Sequence, residues 1–331
     1  LFRSLFFRVI QGVGGALLMP VGRLALLKII PRSQFLSAMS LMSLAGLIGP
    51  LMGPTLGGWL VEVATWHWIF LINLPMGVLG MIMTLKVMPN QTEPTVKPFD
   101  LSGFILLMIA MVGLSLGIEN IAAPQYSRLV SISLLVIGTI ATIGYAYHAH
   151  SHQNALFHGR LFRYKIFSIG VLGNFFARLG SNAIPFILPL MLQVAFGFEP
   201  FFTGLMMIPL VLGSLFSKPI IRPLIQRVGY RRFLLTNTVL VGLCIASFAL
   251  MTATTPLWLK VLHLFIFGTL NSLQFVGMNT LTLKDLPQQD ASSGNSFLSM
   301  IMMLSMSIGV ALAGTLINVF GQHVSTASIT T

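Results

Sequence analysis

Apolar residues do not alternate with polar ones along this chain. They run without a break through long stretches, stop at short clusters of Pro, Gly, Asn and charge, and resume. Stretches such as 129–144 are apolar on every face. A helix in lipid needs about 20 such residues, whereas a strand of an outer-membrane barrel alternates polar and apolar positions over about ten. The breaks divide the chain into ten predicted helices, at 1–28, 36–61, 68–88, 101–119, 129–147, 166–194, 200–217, 233–252, 257–283 and 296–320. Prolines keep the connector 89–100 out of helical conformation, and Asp100 or Ser102 is placed to cap the helix that follows.

Composition sharpens this reading. Of 331 residues, 55% are hydrophobic and 8% charged, against roughly 25% charged in soluble domains. An ordinary soluble protein is excluded, and so is a disordered one, which combines low hydrophobicity with high charge. The fold class is an all-α membrane protein, a helical bundle. The chain begins at Leu1 inside an apolar run and reads as an internal segment of a longer protein.

The net charge of +12 raises nucleic acid as a partner until the cations are placed. Fourteen of the nineteen fall in the connectors after the odd-numbered helices: Arg23, Lys28, Arg32, Lys86, Lys97, Arg160, Arg163, Lys165, Lys218, Arg222, Arg227, Arg231, Arg232 and Lys284. Cytoplasmic loops collect Lys and Arg, so the excess is orientation and nucleic acid is set aside. Residue 1 then lies at the outer face, and an odd number of helices is expected before it.

Three segments carry motifs. The first is Arg8-x-x-Gln11-Gly12, where a guanidinium at spanning depth marks a functional site or a buried partner. In the second helix Gly46, Gly49, Pro50, Gly53, Pro54, Gly57 and Gly58 concentrate small residues and bends on a surface that another helix can approach closely. The third is Trp66-x-Trp68-x-Phe70-x-x-Asn73-x-Pro75-x-Gly77, an aromatic interface anchor followed by a polar residue and a proline inside the span.

In this order and spacing, the three segments resemble the major facilitator superfamily, specifically its drug:proton antiporter branch with fourteen spans. The resemblance covers essentially the whole chain. It implies that residues 1–88 hold the last three helices of an N-terminal six-helix bundle. Residues 89–165 would hold two extra central helices with their cytoplasmic connectors, and 166–331 the first five helices of a C-terminal bundle. About ten helices of an expected fourteen would then be present, with three missing upstream, an odd number as the charges require. It also implies a loop motif at Arg227, Gly229, Arg231 and Arg232. Here Arg222 and Gln226 replace the usual Gly and Asp, a departure from the family's charge-relay gate.

The sixth predicted helix carries Asn174, Arg178, Ser181, Asn182, Pro185 and Pro189 at helical spacing. Such a polar stripe cannot face lipid, so it lines a cavity or ties two helices together. The ninth helix presents Asn271, Ser272, Gln274 and Asn279 in the same manner. The substrate and proton path is therefore expected between Arg8 and Gln11 on one side and Asn174, Arg178, Asn182, Asn271 and Gln274 on the other. Weaker signals read blandly: the histidines from His148 to His158 as a solvated loop without metal, Met300, Met302, Met303 and Met306 as packing, and Cys244 as a lone thiol.

No zinc-protease motif, Walker loop or serine elbow occurs in the sequence, so neither an enzyme nor an ATP-driven pump is expected. The expected function is proton-coupled export of small molecules, multidrug-type antiport across a bacterial inner membrane. The transporter would be monomeric, use no cofactor beyond the proton gradient, and have lipid, substrate and protons as its partners. All seven acids (Glu62, Glu93, Asp100, Glu119, Glu199, Asp285 and Asp290) lie at helix ends or in loops, while the deep charges are arginines. An anionic metabolite or a metal-carboxylate chelate is thus the alternative substrate. A membrane sensor that does not transport is the third reading.

Overall fold

The computed structural model describes residues 2–327 except 66, 89–97, 123–125 and 153; in parts of the first two helices and the end of the last, the backbone alone is described. Among the described residues the chain is helical without strands. The elements are α1 (Phe2–Ile29), α2 (Arg32–Val63), α3 (Trp68–Leu71), α4 (Asn73–Val87), α5 (Leu101–Ala122), α6 (Arg128–Ser151), α7 (Lys165–Ser181), α8 (Ile184–Leu190), α9 (Pro200–Ser247), α10 (Leu257–Lys284) and α11 (Gln288–Ala327). Six stretches are long and apolar enough to cross a membrane: Ile10–Leu27, Leu101–Ile121, Arg128–Ser151, Phe201–Leu250, Leu257–Lys284 and Gln288–Leu316. This is a multi-pass membrane protein.

The ten predicted helices and these six stretches differ for identifiable reasons. The seventh and eighth helices are both present within α9 and meet at a kink at Gly229, where φ is 76° and ψ is 157°; they run further into the cationic stretch than the apolar runs predict. Only glycine adopts that backbone region without strain. The arginines mark where the chain leaves the membrane, which is not where helical hydrogen bonding ends. The sixth helix is broken: α7 stops at Ser181, α8 carries Pro185 and Pro189, and a wide π turn follows over Met191–Ala195. Finally, α11 begins eight residues earlier than the apolar run, with Asp290 in its first turn, where an acid suits the positive end of the helix dipole.

Packing is closest among α9, α10, α7 and α11, where glycines bring backbones together. A Cβ added at Gly268 would overlap the carbonyl of Leu210, and one at Gly213 that of Phe265, so α9 and α10 touch main chain to main chain. Around them Leu188, Leu192, Met207, Leu210, Leu264 and Phe267 pack into one buried core. The central pair α5 and α6 meets through Gly113 and Gly138. Asp100 caps α5, its Oδ1 accepting the Gly103 N–H at 2.9 Å and the Ser102 hydroxyl at 3.1 Å.

Asp100 also corrects the reading of the histidine loop. His148 Nε2 lies 2.8 Å from Asp100 Oδ1 and its ring stacks on His152 at 4.5 Å, so this histidine binds the end of α6 to the start of α5. Among the described residues no group of three or more His, Cys, Asp or Glu forms a metal site.

Candidate transport cavity

Six elements line a cavity of about 530 Å³ between α1 and the group α7, α8, α9, α10 and α11. The polar stripe of α7 faces it: Asn174, Arg178, Ser181 and Asn182 all line the space, with Pro185 just beyond. Asn271 and Gln274 of α10 line it as well. The i, i+3, i+4 spacing that identified the stripe in sequence is what turns these side chains the same way.

Arg178 sets the electrostatics. Its Nε lies 3.5 Å from Asn174 Oδ1 and its guanidinium stacks 4.3 Å from the centre of the Phe275 ring, while Nη2 is buried with no hydrogen-bond partner. Asn174 is 1% exposed and already donates to the Gly170 carbonyl and to Thr282 Oγ1, both at 3.0 Å. Gln274 likewise donates to Thr238 Oγ1 at 2.7 Å and accepts from Asn237 at 2.8 Å. These two amides are held inside the C-terminal group, leaving Arg178 Nη2 and the Ser181 hydroxyl as the stripe's buried groups without a partner, and Arg178 as the charged one. It points into the cavity rather than toward a membrane surface.

The α1 side differs from the expectation. It is lined by Gly15, Ala16, Pro20 and Arg23, one turn and more beyond Gln11, which is exposed and outside the lining. Arg8 is described as backbone only. Arg23, counted above as a connector cation, is instead among the largest fully buried side chains, at 1% exposure. Its Nη1 donates to Asn295 Oδ1 and Ser299 Oγ of α11, both at 3.3 Å, and Asn295 Nδ2 donates back to the Pro20 carbonyl at 2.8 Å. This reciprocal pair ties α1 to α11 at the end of the cavity nearest the cationic connectors. Nearby, Asp290 of α11 accepts from Arg160 Nη2 at 2.7 Å and from the Tyr164 hydroxyl at 2.9 Å.

Lys218 was also counted as a loop cation. It lies inside α9 and donates to the Ser40 carbonyl of α2. At the other end Lys260 is buried, donating to the Ala253 carbonyl at 3.0 Å and lying 4.4 Å from the Phe196 ring. A charge count along the sequence cannot separate such ties from solvated loop cations. Burial does.

Among the described residues, the remaining motif positions are not part of the cavity lining. A Cβ at Gly12, Gly49, Gly53, Gly57 or Gly77 would meet nothing within 4 Å. Pro50, Pro54 and Gly58 are described as backbone only, and Trp66 lies outside the described residues. Trp68 is exposed, Asn73 opens α4 and Pro75 follows in its first turn. Arg227, Arg231 and Arg232 are exposed on either side of the Gly229 bend. Conversely, Met300, Met302, Met303 and Met306, read as packing, all line the cavity.

The sequence profile of the Major Facilitator Superfamily matches residues 3–310 of this chain. The chain belongs to that superfamily. Similar relatives are the proteins named "Putative multidrug resistance protein MdtD" in Escherichia coli O6:H1 (strain CFT073) and in Escherichia fergusonii. Each is 51% identical over 330 residues, covering 99% of this chain and 69% of the relative.

Proposed function

We propose that this superfamily member is a proton-coupled secondary transporter that exports small molecules across a bacterial inner membrane. In this reading residues 1–88 and 166–331 contribute to two bundles that rock about the central cavity, with 89–165 forming the central pair between them. The cavity supports this reading through its asymmetric closure: the Arg23, Asn295 and Pro20 tie closes the end nearest the cationic connectors, which the positive-inside rule places in the cytoplasm. Hydrogen bonds between side chains exchange readily for bonds to water, so such a tie opens and closes at small net cost. The Gly49 to Gly58 segment and Arg8 keep the roles that the family resemblance implies, bending and proton coupling.

The names of the relatives point to drugs as substrates. A second reading, an organic anion or a metal-carboxylate chelate, is favoured by one observation: Arg23 and Arg178 line the cavity, and among the described residues no Asp or Glu does. Proton flux into vesicles carrying the intact transporter tests both readings. Addition of a lipophilic cation should release protons if the drug reading holds, and addition of an organic anion if the second does. Silence to both, with Arg178→Ala indistinguishable from the parent, counts against transport through this cavity.

A further inference from the structure

We infer that the cavity is built for an amphipathic organic anion, a single carboxylate or sulfonate carried on an aromatic or branched apolar body. This deepens the anion reading above and rests on it for the direction of transport, while the binding claim stands separately.

Arg178 Nη2 and Arg23 Nε are both buried without a partner, and both residues line the same space. Neither contact of Arg178 cancels its charge, because Asn174 offers a neutral oxygen at 3.5 Å and Phe275 a ring face at 4.3 Å. A buried cation without a counter-charge is costly, and a planar guanidinium is matched in shape by a carboxylate or sulfonate. An anion therefore completes the site. A cation would add a third like charge to it.

The rest of the lining limits how many charges that anion carries. Away from the arginines the lining is mostly apolar, with Met278, Met300, Met303, Met306, Phe267 and Leu210 beside the neutral side chains of Ser181, Asn182 and Asn271. Thioether and aromatic groups adapt to varied apolar surfaces and offer no N–H or O–H donor. Two of the four lining amides are already engaged, Asn174 with Gly170 and Thr282, and Gln274 with Asn237 and Thr238; the other two, Asn182 and Asn271, and the Ser181 hydroxyl are neutral. One anionic head finds its counter-charge at the arginines. The second and third carboxylates of a polyanion would meet neutral donors, sulfur and aryl carbon after losing their water, with no lining cation beyond Arg23 and Arg178 among the described residues. A volume of about 530 Å³ suits a ligand with an aromatic body.

The test uses the intact transporter in lipid nanodiscs for calorimetric binding and in vesicles for proton flux. Its probes are 2-naphthoate, 2-naphthylmethylammonium with the same apolar body, and citrate. We expect 2-naphthoate to bind at least tenfold more tightly than either comparison compound. Arg178→Gln should abolish that preference, and Arg178→Lys should retain part of it, which distinguishes loss of charge from misfolding. Met303→Ser with Met306→Ser should weaken 2-naphthoate and leave citrate unchanged. Tighter binding of citrate, dependent on Arg178, overturns the amphipathic assignment and leaves the anion reading intact. Tighter binding of the ammonium compound overturns both. Preferential 2-naphthoate binding without any flux removes the exporter reading and upholds the site.

Discussion

The two walls of the cavity are built differently. The wall of α7, α9, α10 and α11 is joined at backbone level: Gly268 against Leu210, Gly213 against Phe265, and Gly309 against the Leu179 carbonyl. The α1 wall is joined to α11 through side chains, with Arg23 and Asn295 at its centre, while Phe7, Val13 and Leu17 are exposed. Contacts between glycine backbones are dry and resist separation, whereas polar side-chain ties can be traded for water. A transporter needs one surface that holds its shape and one that comes apart, and in the transport cycle proposed above these two walls take those roles.

The largest effect should come from spoiling the rigid wall. Gly268→Val would drive a branched side chain into the Leu210 carbonyl, where neither backbone has room to yield. Overpacking costs about 1–3 kcal/mol where neighbours can relax and more where they cannot. The expected outcome is loss of monodisperse protein on size-exclusion chromatography. A well-behaved variant would show that this wall is softer than its contacts suggest.

Breaking the tie should do less to stability and more to access. Arg23→Ala removes the hydrogen bonds to Asn295 Oδ1, Ser299 Oγ and Met302 Sδ and leaves Asn295 Oδ1 short of a donor, a loss of about 1–3 kcal/mol. A cysteine placed at Asn271 in a Cys244→Ser background should then react faster with a membrane-impermeant maleimide supplied from the cytoplasmic side. Asn295→Asp puts a carboxylate beside the guanidinium and should slow the same reaction. Equal rates in all three proteins would refute a closing role.

The tie at Asp100 gives a smaller, pH-dependent effect. Burial alone would raise its carboxyl pKa, but the Gly103 N–H, His148 and Ser102 outweigh burial and hold it below the usual carboxylate range. A group whose pKa is lowered on folding stabilises the protein above its unfolded value of about 3.9, and that contribution is lost as pH falls through the folded value. Hydrogen exchange in the first turn of α5 should therefore accelerate below about pH 4. Asp100→Ala, a lost cap worth about 1 kcal/mol, should accelerate it at neutral pH.

Smallest of all should be Gly49→Ala. Nothing lies within 4 Å of its added Cβ, and alanine favours a helix over glycine by about 1 kcal/mol. Thermal stability should be unchanged or slightly higher. If efflux falls nevertheless, the small face of α2 acts during the transport cycle and not in the conformation described here.

Much of this was readable from residue order. The polar stripe of α7 was legible because Asn174, Arg178, Ser181 and Asn182 recur at helical spacing in an apolar background, and lipid forbids such a face. Arg23 was not, because a guanidinium a turn and a half from the end of a helix reads identically whether it reaches water or a neighbouring helix. The methionines of α11 were ambiguous for a related reason: thioethers suit packed cores and ligand surfaces equally. Gly229 was visible as part of a loop motif, yet only its positive φ shows that it is the kink at which two helices meet.

The sequence by itself determined that this chain lives in a membrane, which end of each helix is cationic, and which superfamily it belongs to. Those properties follow from residue type and spacing, since lipid solvates apolar side chains and excludes charge regardless of neighbours. Tertiary structure alone decided which polar groups are spent and which are left over. Asn174 and Gln274 found partners on adjacent helices, Arg23 found Asn295 across 272 positions of sequence, and Arg178 kept a buried N–H with none. Hydrogen-bond satisfaction is a property of three-dimensional neighbours, and it is the leftover donor that points to the ligand.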